Sequence, residues 1–293
     1  MLRILSLVGF VLIWSTGFIV AKLAAPHANL QLYLLARFAL TACIMGSAAV
    51  AAATPWPRGK GLLAHLATGA LMQGVYLCAS YWSIAHGMTA GIMALLGALQ
   101  PLFTALYLVL VTRARLGLQT WLGLLVGFSG VACVLAPKIA AAGPGSLTIL
   151  STVAALLSVV AITAGALLQK WLPHVDLRPA AAVQNAGGVL VAAAMVVTFG
   201  GMPWDNSAIL WGALLWAVLV PSVIGTTLLM WMMRHGEATK VTALLLLVPP
   251  LAAVQGYLFF GETLTPLQIG GFLLALLGVL LTRSARTQQA VEQ

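Results

Sequence analysis

The feature that most constrains this chain is a series of apolar stretches, each about 20 residues long, joined by short connections. We count ten of them: 4–24, 31–53, 61–85, 89–112, 118–137, 147–170, 179–200, 208–233, 238–260 and 266–283. Charged residues make up 6% of the 293 residues, against about 25% in a soluble protein. An α-helix crosses a membrane in about 20 residues and satisfies its own backbone in lipid. The sequence therefore predicts an all-α integral membrane bundle of ten transmembrane helices.

The positive residues predict how this bundle is oriented. Ten helices put both termini on one side of the membrane. Placing the termini in the cytoplasm puts most of the 14 Lys and Arg residues on that side: Arg3, Arg58, Lys60, Arg113, Arg115, Lys170, Arg178, Arg234, Lys240, Arg283 and Arg286. Lys22 and Lys138 fall on the other side. This bias follows the positive-inside rule and predicts a multi-pass protein of the bacterial inner (plasma) membrane with both termini cytoplasmic.

Arg37 lies inside the second apolar stretch, toward its outer end, whereas the other basic residues fall in the connections or near the ends of the stretches. We interpret it as reaching the outer interface or as pairing with a helix terminus. The net charge is +9, but the basic residues stand in ones and twos rather than in runs. Membrane lipid is thus the expected surrounding, and no nucleic-acid partner is expected.

Residues that carry catalysis or bind metals are few and scattered. The acids are Asp176, Asp205, Glu237, Glu262 and Glu292, and the histidines are His27, His65, His86, His174 and His235. The acids fall in connections, at the ends of apolar stretches or in the tail, and no two histidines are spaced i, i+4. We therefore predict no enzymatic activity, no metal and no cofactor. Since no carboxylate lies in mid-helix, we also predict uniport rather than proton coupling.

An internal repeat is visible when the sequence is slid along itself. A shift of 149 residues superposes Trp82 on Trp231, His86-Gly87 on His235-Gly236, and Pro101-Leu102 on Pro250-Leu251. A shift of 148 superposes Lys22 on Lys170, Gly17 on Gly165, and Gly130-Val131 on Gly278-Val279. We predict two related repeats of five helices each, 1–140 and 145–286, followed by a cytoplasmic tail, 287–293. Five is odd, so the second repeat is inverted relative to the first, which is how many secondary transporters are built.

Two segments carry a family resemblance. One is Trp14-Ser15-Thr16-Gly17-Phe18 with Lys22 and Ala36-Arg37-Phe38; the other is Gly261-Glu262-Thr263-Leu264-Thr265-Pro266-Leu267-Gln268 with Gly270-Gly271 and Gly278-Val279. They resemble the EamA domain of the drug/metabolite transporter superfamily, in which the domain occurs as tandem copies. The first repeat departs from the second pattern, because Thr112-Arg113-Ala114-Arg115 stands where the glutamate would be. Within the superfamily the chain is most similar to YddG-type exporters of aromatic amino acids, which implies a ten-helix exporter with a central cavity.

These observations together predict a function. We expect export of small metabolites by alternating access, above all of amino acids including aromatic ones. The alternatives are a multidrug or other metabolite carrier, an antiporter included, and a membrane scaffold subunit that does not transport. The expected partners are a small-molecule substrate and membrane lipid.

The predicted substrate site consists of aromatic and polar side chains at membrane depth. Gln73, Tyr76 and Ser80 are spaced by three and four residues, so they share one helix face. The full predicted set is Trp14, Gln73, Tyr76, Ser80, Tyr81, Gln100, Thr163, Asn185 and Trp216. Trp and Tyr rings suit flat or cationic substrates through stacking and cation–π contact. The alternative role of the polar members is hydrogen bonding between helices.

Prolines within the apolar stretches predict kinks. Pro101 and Pro250 are equivalent in the repeat, Pro249 precedes Pro250, and Pro221 lies in the eighth stretch. Each proline frees a carbonyl four residues earlier, which in lipid must face protein or water. We predict hinges beside the cavity, the alternative being static kinks.

Gly123 and Gly127 form a G-x-x-x-G pair, with Gly271 and Ala275 at the equivalent positions of the second repeat. Small residues at this spacing permit close helix approach. That approach can occur within one chain or between two, so we expect a monomer or a weak dimer.

Overall fold

The structure, a computed structural model, describes residues 2–111, 113, 117–140, 149–172, 175–199, 203–228 and 245–291. Its α-helices are α1 Leu2–Ser15, α2 Gly17–Ala24, α3 Leu30–Ala51, α4 Gly59–Gly69, α5 Tyr76–Ala85, α6 Ala90–Ala98, α7 Gln100–Leu110, α8 Leu118–Ala140, α9 Ile149–Gln169, α10 Leu177–Phe199, α11 Ala208–Ala217, α12 Val248–Phe260 and α13 Pro266–Val291. Among the described residues there is no β-strand, and a single isolated bridge joins Ala28 to Trp204. The fold is all-α, as predicted.

Seven helical segments are long and apolar enough to cross a membrane: Leu30–Ala51, Gly59–Ala85, Ala90–Tyr107, Leu118–Pro137, Ile149–Gln169, Leu177–Phe199 and Ala208–Leu228. Shorter apolar helical stretches cover Gly9–Ala24, Leu245–Phe260 and Pro266–Thr282. The chain is therefore a multi-pass membrane protein, and the count of ten crossings stays a prediction. The predicted end of stretch 208–233, the start of stretch 238–260 and the boundary between the predicted repeats lie outside the described residues.

The last helix is longer than the sequence predicts. We expected it to end at residue 283 and a tail to follow from 287, but α13 continues to Val291. The added segment contains no Gly or Pro and is rich in Arg, Gln and Ala, which favour helix. The apolar pattern predicts where the helix leaves the membrane, not where it ends.

Several apolar segments are interrupted where local chemistry weakens the α-helical hydrogen bonds. The interruptions are a turn at Thr16 between α1 and α2, a π-helical segment Ala70–Val75 between α4 and α5, a turn at Leu99 between α6 and α7, a second π-helical segment Val218–Gly225 after α11, and a 3₁₀ turn Leu245–Leu247 before α12. Pro101 stands in the first turn of α7, and Pro249 and Pro250 stand in the first turn of α12. Pro221 lies inside the second π-helical segment. Each proline lacks an N–H, which accounts for a break at these positions.

The interruptions follow the internal repeat. Shifting 70–75 by 149 residues gives 219–224, which falls within the second π-helical segment, Val218–Gly225. The same shift carries Leu99 to Val248, the first residue of α12. The Thr16 turn has no such counterpart, because α9 is continuous from Ile149 to Gln169. The turn at Thr16 is therefore a feature of the first half alone.

Helices α8 and α13 pack closely along their length. A Cβ at Gly278 would come within 2.3 Å of the Gly127 backbone nitrogen, and one at Gly130 within 2.5 Å of the Gly271 carbonyl oxygen. Two glutamines add reciprocal hydrogen bonds: Gln119 donates to the Leu281 carbonyl at 3.4 Å and Gln268 to the Val134 carbonyl at 3.1 Å. Rising numbers on α8 meet falling numbers on α13, so the two helices are antiparallel. The predicted G-x-x-x-G face is thus used inside the chain.

Candidate functional site

The turn between α1 and α2 places polar groups in an otherwise apolar region. The Ser15 hydroxyl donates to the Leu12 carbonyl at 2.9 Å, and the Thr16 hydroxyl donates to the Ile13 carbonyl at 2.7 Å. Such bonds compete with the helical ladder, and the glycine that follows adds backbone freedom. The Gly17 carbonyl accepts a hydrogen bond from the Tyr81 hydroxyl at 2.8 Å. The interruption therefore turns backbone groups toward a neighbouring helix.

Arg37 of α3 lies beside this turn. Its Nη1 donates to the Tyr81 hydroxyl at 3.0 Å, and its Nε and Nη2 donate to the Ser222 hydroxyl at 3.2 and 3.1 Å. Ser222, in the second π-helical segment, in turn donates to the carbonyl of Ala217, the last residue of α11, at 2.8 Å. Arg37 is only 7% exposed. Our interpretation that Arg37 reaches the interface is wrong, because its charged group is held by protein hydroxyls.

Within the part of the chain that the structure describes, no carboxylate pairs with this charge. The ion pairs in the described part of the chain join Lys22 to Glu262, His27 to Asp205 and Arg178 to Asp176. Arg37 belongs to none of them, and its partners are neutral hydroxyls. A buried charge without a counterion is costly, particularly in a membrane, which marks such a residue as a candidate functional group.

Two further side chains reach the same turn from the second half of the chain. Gln255 of α12 donates from Nε2 to the Ser15 hydroxyl at 2.9 Å, and its Oε1 is buried with no hydrogen-bond partner among the described residues. Trp216 of α11 donates from its indole nitrogen to the Thr16 hydroxyl at 3.1 Å. We call Ser15, Thr16, Gly17, Arg37, Tyr81, Trp216, Ser222 and Gln255 the turn cluster. It joins both halves of the sequence at one place.

Tyrosine rings enclose this cluster. Tyr33 stacks on Tyr81 with ring centroids 6.2 Å apart, and its hydroxyl donates to the Ala213 carbonyl at 2.8 Å. Both rings are fully buried. Tyr76 contacts Phe18 edge to face at 6.4 Å. The cluster therefore combines one cation, several hydroxyls and an aromatic wall.

At one end of the bundle, polar contacts join the connections of the two halves. Lys22 pairs with Glu262 and lies over the Phe260 ring. His27 contacts the Asp205 carboxylate, the Asn29 N–H donates to the Pro203 carbonyl at 2.9 Å, and the Asp205 N–H donates to the His27 carbonyl at 3.0 Å. We call these contacts, made by residues 22–29 with 203–205 and 262, the closed end. These polar interactions join the halves there, next to apolar contacts of Ala24 and Ala28 with the core that Trp204 and Phe260 pack against.

The electrostatics of the closed end favour ionised Asp205. Hydrogen bonds from the His27 ring, and then from the Ser207 backbone, hold the pKa of the Asp205 carboxyl below its usual value. A carboxylate with a depressed pKa stabilises the arrangement at neutral pH. This stabilisation is lost only as the pH falls through that depressed pKa.

The predicted site residues fall into separate groups. Tyr81 and Trp216 belong to the turn cluster, and Tyr76 lies next to it. Trp14 directly precedes Ser15 of the cluster and packs on Phe10 with ring centroids 5.1 Å apart. These four aromatic residues are brought together around the end of α1.

The predicted polar residues lie elsewhere or bond within their own helix. Ser80 donates to the Tyr76 carbonyl at 2.7 Å, and Asn185 donates to the Ala181 carbonyl at 2.9 Å. Gln73 lies in the first π-helical segment and packs against α10, where a Cβ built on Gly188 would come within 2.9 Å of the Gln73 Cβ. Gln100 begins α7, and its carbonyl accepts from the Thr104 hydroxyl at 2.7 Å. Their substrate roles stay predictions.

Thr163 lies in a different place, a groove between α7 and α9. The groove has a volume of about 340 Å³ and is lined by Phe103, Tyr107, Val160, Thr163, Ala164, Leu167, Leu168 and Trp171. Tyr107, Val160 and Trp171 are 39%, 47% and 84% exposed, so this groove opens on the outer, apolar surface. The Thr163 hydroxyl donates to the Val159 carbonyl at 2.7 Å. Thr163 is therefore not next to the turn cluster.

Sequence reasoning did not select Arg37, Ser222 or Gln255 as site residues. For Arg37 a signal existed, because a charged residue inside an apolar stretch is by default a functional candidate. Ser222 and Gln255 carried no signal beyond being polar at depth. Among the described residues no group of three His, Cys, Asp or Glu side chains could hold a metal ion.

Comparisons with known proteins agree with this architecture. The family model of the EamA-like transporter family matches residues 1–136 and again residues 149–284. A protein of Streptantibioticus cattleyicolor named "Probable terminal-alkyne amino-acid exporter" is 25% identical over 279 residues, covering 94% of this chain and 91% of that protein. A solved crystal structure matches with a TM-score of 0.63 at 18% identity over 97% of each chain. That last likeness concerns the fold alone.

Proposed function

Because the chain belongs to the EamA-like transporter family, we propose that it exports amino acids, including aromatic ones, or similar small metabolites by alternating access between two inverted halves. The family membership makes the chain a multi-pass membrane transporter of small molecules and not an enzyme. The proposal adds the substrate, the direction and the mechanism. It also adds the setting: a bacterial inner membrane, ten crossings and both termini in the cytoplasm.

The observation that carries the proposal is the reciprocal contact between α8 and α13. A shift of 148 residues relates Gly123 to Gly271 and Gly130 to Gly278. A Cβ at Gly123 would meet the carbonyl of Gly278, which is the counterpart of Gly130. A Cβ at Gly130 would meet the carbonyl of Gly271, which is the counterpart of Gly123. A two-fold axis produces such exchanged pairs, and the antiparallel direction puts that axis in the membrane plane. This supports inverted repeats, 1–140 and 145–286.

The interruptions of the helices support movement of the halves. The π-helical segments recur at equivalent positions, and Pro101 and Pro250 stand in the first turns of equivalent helices. Backbone interruptions of this kind are common at functional sites and in the broken helices of transporters. We propose Pro101, Pro221, Pro249 and Pro250 as the hinges about which the halves rearrange.

The closed end supports the same mechanism. With cytoplasmic termini, residues 25–29, 203–206 and 261–265 all belong to connections on the outer side. Lys22–Glu262 and His27–Asp205 then form a thin outer closure over the turn cluster. The state would be closed to the outside, and opening this end would require breaking these polar contacts and separating the apolar side chains packed beneath them, such as Ala28 and Trp204.

The substrate assignment is supported by the aromatic wall and by one relative. That relative's name gives an amino-acid substrate. Trp14, Tyr76, Tyr81 and Trp216 around the cluster suit an apolar or aromatic side chain. The acids of the described part of the chain lie in connections or at helix ends, which favours uniport over a carboxylate proton relay. A multidrug carrier would require a site without the fixed polar pattern of the turn cluster.

Reconstituted protein tests the proposal. Proteoliposomes would be loaded with each of the twenty amino acids in turn, and exchange of the radiolabelled amino acid would be measured. A subset of the twenty should be exchanged, with the aromatic amino acids among the fastest. Exchange should be insensitive to an imposed pH gradient. Absence of flux for all twenty would contradict the substrate assignment, and strong dependence on the pH gradient would contradict uniport.

The topology has its own test. A cysteine introduced at position 143 should react with a membrane-impermeant maleimide only from outside intact cells, and tags at both ends only after lysis. Labelling of position 143 from the cytoplasm, with both termini also cytoplasmic, would contradict the inverted arrangement. Cross-linking in membranes should give a monomer or a weak dimer, since the G-x-x-x-G face is occupied within the chain.

A further inference from the structure

We infer that the turn cluster is a site for a zwitterionic amino acid, in which the Arg37 guanidinium binds the carboxylate and the Gln255 side-chain oxygen accepts a hydrogen bond from the ammonium group. This inference rests on the proposed transport function and names the chemistry that the site recognises. It assigns Arg37 and Gln255 a direct contact with the substrate.

Arg37 has unused capacity to bind an anion. A guanidinium carries five N–H donors, and its bonds to Tyr81 and Ser222 use three of them within the described part of the chain. The partners are neutral hydroxyls, which donate hydrogen bonds to the Gly17 and Ala217 carbonyls, so they bring no negative charge. A carboxylate matches the fork of the guanidinium and would supply both the missing charge and the missing acceptors.

Gln255 offers the opposite chemistry at the same turn. Its Oε1 is a buried acceptor that lacks a partner among the described residues, while its Nε2 is fixed on the Ser15 hydroxyl. An unpaired buried acceptor has lost its water without compensation, and a donor from a ligand would restore the bond. Gln255 bonds Ser15, and Arg37 is linked to Gly17 through the Tyr81 hydroxyl, so both side chains are tied to the same turn between α1 and α2.

The surroundings favour an amino acid over other anions. A phosphate is usually held by several cations or backbone N–H groups, whereas the turn cluster contains one cation and several hydroxyls. Beside the cluster, a Cβ built on Gly17 would have no atom within 4 Å, so no neighbouring side chain packs against that side of this glycine. Tyr76 and Phe18, which meet edge to face beside it, would contact the side chain of the substrate.

The link between the halves gives this site a role in transport. Arg37 and Tyr81 belong to the first repeat, while Ser222 and Gln255 belong to the second. When the halves separate, Arg37 loses Ser222, and a carboxylate can take the place of that hydroxyl. A bound substrate would therefore stabilise the state with separated halves, in which the Arg37 guanidinium has lost the Ser222 acceptor.

Analogues that each lack one charged group test the site. The wild-type protein in proteoliposomes would exchange whichever of the twenty amino acids gives the largest flux. Competitors would be that amino acid, its decarboxylated amine and its deaminated acid. We expect the amine to compete about 10- to 100-fold more weakly than the amino acid, since a hydrogen-bonded charge pair is lost. In Arg37→Gln the amino acid and the amine should compete equally within about threefold.

Gln255→Leu is the complementary variant. It should keep the preference for a carboxylate but lose most of the discrimination between the amino acid and its deaminated acid. Arg178→Gln, at an exposed arginine, is the matched control and should behave as the wild type. If thermal unfolding in detergent shows that Arg37→Gln is not folded, Arg37→Lys replaces it. Lysine keeps the charge but lacks the fork of the guanidinium, so the preference for a carboxylate should fall less than in Arg37→Gln.

The outcomes separate the two proposals. If Arg37→Gln keeps the wild-type ratio between amino acid and amine, or if the wild type does not distinguish them, the site assignment is wrong although transport stands. If no amino acid is exchanged by the wild type, the proposed function fails first.

Discussion

Replacing Glu262 by Gln removes the acid of the closed end while keeping the shape of its side chain. The Lys22 ammonium then loses its counterion but keeps its contact with the Phe260 ring at 4.8 Å. We expect the closed end to open more often, because this ion pair joins the two halves directly. The perturbation is local, since Glu262 follows the left-handed Gly261 that ends α12 and lies in a connection rather than in a helix.

The size of the effect follows from the exposure of the pair. The Glu262 side chain is 7% exposed and the Lys22 side chain 32%. Breaking a fully buried pair costs about 3–5 kcal/mol, whereas an exposed pair is worth about 0.2–1 kcal/mol. Solvent screens the partly exposed Lys22 ammonium, so we expect a cost of about 1–2 kcal/mol. That corresponds to a shift of about 5- to 30-fold in the ratio of open to closed molecules.

A cysteine reporter at Gly17 measures this ratio. A side chain there meets no atom within 4 Å, so Gly17→Cys fits, and its position beside the turn cluster reports access from the closed end. The three native cysteines, Cys43, Cys78 and Cys133, would first be replaced by serine or alanine. In right-side-out vesicles a membrane-impermeant maleimide should label the reporter about 5- to 30-fold faster in Glu262→Gln.

Two comparisons decide whether the reasoning holds. Asp176→Asn breaks an exposed pair with Arg178, 3.9 Å apart, that lies within one half, and should leave the labelling rate unchanged. The exchanged pair Lys22→Glu with Glu262→Lys should restore most of the wild-type rate. A Glu262→Gln rate within twofold of both the wild type and Asp176→Asn would refute the role of this ion pair in closing the bundle.

Other perturbations test packing and protonation. Gly278→Ala should lower Tm by several degrees or prevent folding, because its Cβ would come within 2.3 Å of the Gly127 nitrogen. Gly270→Ala on the same helix meets nothing within 4 Å and should be neutral or stabilising by up to about 1 kcal/mol, so equal unfolding temperatures of the two variants would contradict the close packing. Asp205→Asn should weaken the closed end at pH 7. Because the pKa of Asp205 is depressed by His27, the difference in Tm from wild type should persist at pH 5 and vanish only below the ordinary carboxyl value of 3.8. A difference that disappears between pH 7 and pH 5 would rule out Asp205 as its source.

Much of the architecture is predictable because lipid imposes it. Apolar stretches of about 20 residues must be helices, and the seven long segments coincide with predicted stretches to within a few residues. The proline positions also locate two of the interruptions, at α7 and α12. The sequence does not predict the first π-helical segment, Ala70–Val75, since it contains no proline; in the structure it packs closely on α10.

The site was less predictable than the fold. The structure places the predicted residues Tyr81 and Trp216 in the turn cluster, and their contact with a substrate stays a prediction. Depth and helix spacing predict the polar candidates Gln73, Ser80 and Asn185, but neither says whether a side chain bonds within its own helix or across to another. Arg37 was misread because snorkelling depends on which neighbours surround the residue, and that is a property of the folded bundle.

The pair Lys22–Glu262 marks the point at which the symmetry of the two halves ends. At shifts of 148 and 149 residues their counterparts are Lys170 and Arg113, and both of these are exposed. Two cations repel each other, so the opposite end of the bundle cannot form the equivalent ion pair. In the alternating access that we propose, the halves exchange roles, and an ion pair available at one end alone would favour the state closed at that end. An acid introduced at position 113 would offer Lys170 a partner and should bring the two states closer in energy.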